Sequence, residues 1–140
     1  MSRTLIGWLC RVFLGAVFIY AGAIKIMDPT AFAESIFRYQ ILPGNLINIA
    51  AVILPWLEVF VGLAIMLPIR VSDASALWIL LLLVVFTVAI AFNVWRGIDI
   101  SCGCFTTNPQ ASRAGWNKVA ENCGMIVAAF LALASTLRRR

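Results

Sequence analysis

The chain has 140 residues, 63% hydrophobic and 12% charged, with a formal net charge of +5, four cysteines and no histidine. Soluble domains run at about half apolar and a quarter charged, so this composition excludes a cytosolic enzyme, a disordered tail and a small secreted disulfide scaffold. Nor does the positive balance point to nucleic acid: Arg138, Arg139 and Arg140 supply three of the charges and the rest are scattered singly, a topology and lipid-headgroup signal.

In chain order, four apolar runs occupy about residues 4 to 27, 46 to 67, 74 to 95 and 116 to 136. Each is near the roughly 20 residues an α-helix needs to cross about 30 Å of hydrocarbon. The first run closes on Ala21-Gly22-Ala23, a passable signal-peptide cleavage site, but Arg11 interrupts it, so it is read as a retained span. Lipid tolerates no unpaired backbone and no alternating strand pattern is present, so the predicted fold is all-α. It is an integral membrane four-helix bundle forming a single domain over residues 1–140.

An even number of spans puts both termini on one side of the membrane. Arg3, Arg70 and the three terminal arginines gather there, against Arg38, Arg96 and Arg113 in the opposite loops. With Lys25 and Lys118 tucked into helix ends, the bias places the termini in the cytoplasm and the two longer loops outside a bacterial inner membrane.

The first outer loop opens on Asp28-Pro29, a helix start in which the carboxylate caps free amides and the proline ring presets φ. Phe32, Ile36 and Tyr39 then recur at helical spacing while Glu34, Ser35 and Arg38 point elsewhere. This predicts a short amphipathic helix on the membrane surface, ended by Pro43-Gly44, serving as a connector or as a lid over whatever lies beneath.

Within the first span, Arg11, Gly15, Phe18, Gly22 and Lys25 fall within about 80° of one another at 100° per residue. Charges avoid lipid and glycines admit a neighbouring helix, so this stripe faces the bundle interior. Glu58 in the second span needs a cationic partner there. Counting from the inner helix ends puts Arg11 roughly 9 Å deep and Glu58 roughly 13 Å deep, so the two can meet. In the last span Lys118, Glu121 and Asn122 form a second polar face near the outer end. Both clusters read either as polar glue between helices or as sites that bind a ligand or move protons.

Ser101-Cys102-Gly103-Cys104-Phe105 lies in the second outer loop. Two thiols flanking one glycine can close a tight ring. Such a short crosslink supplies roughly 1.6 kcal/mol of loop-closure entropy before strain is subtracted, which makes it a poor staple. Strained exposed disulfides are the reducible ones, so the spacing suits an exchangeable, catalytic pair; a structural disulfide and metal ligation are the alternatives. Without histidine, neither a metal nor a haem is expected. Cys10 and Cys123 lie near opposite ends of their helices and cannot pair; Cys10 reads as packing, and Cys123 as packing or a third exchange partner.

The run Arg11-x-x-Leu14-Gly15-x-x-Phe18-x-x-Ala21-Gly22-x-x-Lys25-x-x-Asp28-Pro29-x-x-Phe32-Ala33 is followed by Tyr39, Leu42-Pro43, Pro55-Trp56-x-Glu58-x-x-x-Gly62 and Cys102-Gly103-Cys104-Phe105. Together these resemble the methylamine-utilisation MauE family, within the DoxX-like group of four-helix membrane proteins, over nearly the whole chain. The resemblance implies a role in maturing or supporting a periplasmic redox enzyme, with a thioredoxin-like partner. DoxX-like relatives further imply quinone-linked sulfur or thiol oxidation.

The leading expectation is therefore a thiol-disulfide oxidoreductase in which Cys102 and Cys104 oxidise a periplasmic partner and pass two electrons to quinone. Arg96, Arg113 or Lys118 would favour the attacking thiolate. Trp95, Phe105 and Trp116 bracket the loop as an aromatic belt or as a sandwich for a quinone ring. Two other roles compete: a non-catalytic membrane subunit or assembly factor docking a larger complex, and a small transporter acting as an oligomer through Arg11, Glu58, Lys118 and Glu121.

Overall fold

The computed structural model describes residues 2–67, 71–98 and 115–137. Arg70 and the three terminal arginines lie outside the described residues. Among the described residues five helices follow one another: α1 (Ser2–Met27), α2 (Pro29–Tyr39), α3 (Gly44–Met66), α4 (Val71–Trp95) and α5 (Trp116–Leu137). All but α2 are long and apolar enough to span a bilayer, so this is a multi-pass membrane protein. Consecutive spanning helices pack on each other and α5 packs back on α1, closing the ring α1-α3-α4-α5. Large apolar side chains such as Trp8, Leu63, Leu81 and Phe130 point outward, where lipid takes the place of a partner.

Glycine sets the closest approach. A Cβ added at Gly15 would stand 2.7 Å from the Gly62 carbonyl oxygen, and one at Gly22 would stand 2.7 Å from the Pro55 carbonyl oxygen. Both facing pairs are separated by two turns on each helix, so α1 and α3 run antiparallel in constant register, backbone nearly on backbone. The core beside this seam joins Leu14 and Phe18 of α1, Ile65 of α3, Ile79 and Leu83 of α4, and Ala129 and Ala132 of α5. Two hydroxyls inside the bundle are satisfied within their own helix: Ser75 donates to the Val71 carbonyl at 2.8 Å and Thr87 to the Leu83 carbonyl at 2.6 Å.

The short helix α2 crosses the end of the bundle where α1 and α4 finish and α3 and α5 begin. It packs chiefly on α3 and touches α1 and α4. The Asp28 carboxylate accepts from the Ala31 amide at 3.0 Å, the cap expected from Asp28-Pro29. Its end differs from expectation. Gln40 adopts the left-handed region at φ 52°, and its amide closes on the Phe37 carbonyl, so the helix stops at Tyr39 before Pro43-Gly44 is reached. Its buried face is Phe32, Ser35 and Tyr39, with Ile36 half-buried. Ser35 was expected to point away; it turns inward because its hydroxyl bonds the Ala31 carbonyl at 3.0 Å and needs no solvent.

Candidate functional site

The polar stripe on α1 divides between two ends of the bundle. At the α2 end, Lys25 Nζ donates to both carboxylate oxygens of Glu58, at 2.7 and 2.8 Å, and both side chains are almost completely buried. The ammonium also lies 5.0 Å from the Phe32 ring centroid and 5.4 Å from that of Phe86. Two aromatic faces thus replace part of the hydration the cation gives up. Phe32 comes from α2, so the surface helix is fastened directly above the ion pair.

At the other end, Arg11 donates to the Ser72 hydroxyl and lies 3.3 Å from an Asp73 carboxylate oxygen, with a further contact to the Ala132 carbonyl at 3.4 Å. The expected pairing of Arg11 with Glu58 is therefore wrong, and the register explains why. Counting from helix ends assumed that α1 and α3 finish in one plane. Gly15 opposite Gly62 instead sets Arg11 level with Met66, the last residue of α3, leaving Glu58 about 12 Å further along. Direction completes the selection, since Cα–Cβ bonds tilt toward each helix's N-terminus. In antiparallel helices Lys25 and Glu58 lean toward each other, whereas Arg11 leans away.

The polar face on α5 also divides. Lys118 Nζ pairs with Glu121 at 3.0 Å on the outside, where Glu121 is exposed. Asn122 turns inward, is 3% exposed, and makes no side-chain hydrogen bond among the described residues. It lines a partly open cavity of about 40 Å³ together with Lys25, Glu58, Phe18, Leu83 and Met125. That volume accommodates a few small groups and not a ring system.

Cys102, Cys104, Phe105 and Arg113 lie outside the described residues. Their segment joins two described anchors at the α2 end, Ile98 after α4 and Gly115 before α5. Trp95 and Trp116 stand largely exposed beside those anchors. Arg96 stacks over Phe92 at 5.2 Å. Trp95 and Trp116 thus have the exposure of interfacial aromatics, and the cavity is lined by neither. Tyr39 of α2 packs with Ile90 and with Val94, Ile98 and Val119, so α2 also braces both ends of the cysteine segment. Cys10 packs against the core and Cys123 is exposed on α5; both are free thiols.

Sequence reasoning missed Ser72 and Asp73 as partners of Arg11, although an acid in the first turn of α4 is a visible helix-start feature. It also missed the enclosure of Lys25 by Phe32 and Phe86, which no single-helix periodicity contains.

The family model described as "Methylamine utilisation protein MauE" matches residues 3–135. Curated relatives named "Methylamine utilization protein MauE" include one from Methylorubrum extorquens, 31% identical over 93% of this chain and 69% of its own length. Another, from Paracoccus denitrificans, is 33% identical over 98% of this chain and 73% of its own. A third, from Paracoccus versutus, is 36% identical over 87% of this chain and 65% of its own. No solved structure shows significant similarity to the chain.

Proposed function

The chain belongs to the MauE family of methylamine utilisation proteins, and from that premise we propose that it is a membrane thiol-disulfide oxidoreductase serving a periplasmic redox enzyme. The observation that carries this reading is the position of Cys102-Gly103-Cys104. In sequence the pair falls on the segment between α4 and α5, and the described ends of those two helices lie at the end of the bundle covered by α2. A helix pair fixes both ends of that segment, and Trp95 and Trp116 anchor them at interfacial depth.

In the forward step a thiolate of the partner attacks one sulfur of the Cys102–Cys104 disulfide, releasing the other as a thiolate and forming a mixed disulfide. The partner's second thiol then resolves it. The partner leaves with one disulfide, and Cys102 and Cys104 are left as a dithiol carrying its two electrons and two protons. A membrane quinone would supply the two-electron sink that restores the disulfide. Arg96, stacked near the end of α4, supplies positive charge close to where the segment begins, which would favour the thiolate form. The partner is a thioredoxin-like protein or the redox enzyme itself. The bacterial inner membrane, with the termini in the cytoplasm, is the location that exposes this dithiol to an oxidising compartment.

Thiol labelling tests the reading. A maleimide reagent should react with Cys102 and Cys104 only after a dithiol partner is supplied, and added quinone should reverse that reactivity. Cys102→Ser should abolish disulfide transfer while leaving the protein folded. Labelling indifferent to both reagents, with methylamine-dependent function retained in Cys102→Ser, would leave the non-catalytic assembly role in its place.

A further inference from the structure

We propose that the cavity beneath α2 is a binding site for the neutral carbonyl or hydroxyl end of a lipid-soluble molecule, whose apolar body stays in the surrounding hydrocarbon. Charge, hydrogen bonding and shape each narrow the ligand. Lys25 and Glu58 neutralise each other at 2.7 and 2.8 Å, so the site offers no net charge to an ion. Asn122, 97% removed from solvent, brings an amide donor and acceptor that nothing among the described residues engages. Its amide faces the partly open cavity, where a bound molecule can supply the partner that the fold does not.

Among the described residues the rest of the wall is apolar, with Val17, Phe18, Leu83 and Met125 among it, and the cavity is partly open. Glu58 lies near the middle of α3 and Asn122 almost two turns inside α5, so the cavity reaches into the depth spanned by the apolar helices. About 40 Å³ admits a carbonyl or hydroxyl group and excludes a ring, which fixes how far the ligand enters. A quinone carbonyl and the hydroxyl of a long-chain alcohol share this chemistry. The quinone case rests on the proposed function; the site itself does not.

Two photoreactive probes separate the sources: a short-tailed azidoquinone and a diazirine-bearing fatty alcohol, each applied to the full chain in nanodiscs and mapped by mass spectrometry. At least one should label α1, α4 or α5 at cavity positions such as Val17, Leu83 or Met125, and should be displaced by its unlabelled counterpart. Asn122→Leu should weaken that displaceable labelling about tenfold, the factor that one ordinary hydrogen bond supplies. Ala21→Leu, which grows into the cavity from α1, should weaken it as well, with the denaturant midpoint of each variant kept near that of the parent chain to exclude a fold defect. Replacing both Cys102 and Cys104 by serine should leave binding unchanged, since binding needs no turnover. Labelling by the alcohol alone supports the site while moving the quinone elsewhere. Labelling spread over outward residues such as Val127 and Phe130, or indifferent to both Asn122→Leu and Ala21→Leu, overturns it.

Discussion

Two cations on one face of α1 meet opposite fates. Lys25 is sealed against Glu58 between two phenyl rings, with side-chain exposures of 3% and 4% for the pair. Arg11 lies on the same stripe, yet its contact with Asp73 is longer, at 3.3 Å, and the two side chains keep 16% and 25% of their exposure. The lesson is that position along the membrane normal, rather than residue type, decides what a charge does. At the rim a long guanidinium reaches past the core and shares its protons with a hydroxyl and a carboxylate. Beneath α2 the ammonium has no such exit, and the structure must supply an anion.

The sharpest break in this comparison comes from Lys25→Met. Removing the ammonium leaves Glu58 buried without its counter-charge, and loss of one member of a buried pair typically lowers stability by about 3–5 kcal/mol. Denaturant unfolding in detergent micelles, followed by helix content, should show that loss. Adding Glu58→Leu to the same chain should restore most of it, because an apolar pair of similar volume fits this interior. A double variant no better than Lys25→Met would mean that the ion pair contributes beyond charge balance.

The next effect in size concerns the seam that brings Lys25 to Glu58. Gly22→Ala should destabilise by about 1–3 kcal/mol, since the new methyl stands 2.7 Å from a backbone oxygen that cannot rotate away. Gly124→Ala should have the opposite sign: nothing lies within 4 Å of the added carbon, and alanine gains up to about 1 kcal/mol over glycine in a helix. The same unfolding measurement checks both, and equal signs would remove the close α1–α3 approach as the cause.

These contrasts also mark how far the sequence could be read. The four spans were legible because 20-residue apolar runs admit one solution in lipid, and the inward stripe of α1 was legible because glycines and charges shared 80° of arc, roughly the width of a helix contact. The cap at Asp28 was equally plain, being local chemistry. The partner of Glu58 was not legible. Arg11 and Lys25 are both on the stripe, and choosing between them requires the offset between helices, which Gly15 and Gly62 fix in three dimensions and no periodicity displays. Asn122 was seen as polar but grouped with Lys118 and Glu121, because adjacent positions 100° apart on a helix fall on either side of the boundary between inside and outside. The aromatic cover over Lys25 combines α2 with α4, and so was beyond any reading of one segment.

The smallest effect belongs to the rim, and it completes the comparison. Asp73→Asn removes the partly exposed ion pair with Arg11 and an acid from the first turn of α4, each worth a few tenths of a kcal/mol to about 1 kcal/mol. The loss in denaturant unfolding should therefore stay near 1 kcal/mol or below. Salt distinguishes it from the buried site more firmly than size does. Mobile ions reach a rim pair and screen it, so the gap between Asp73→Asn and the parent chain should narrow as ionic strength rises. They do not reach Lys25 and Glu58, so the gap for Lys25→Met should stay constant over the same range. A Lys25→Met gap that shrank with salt would show solvent entering beneath α2, and the two ends of the stripe would then differ in degree and not in kind.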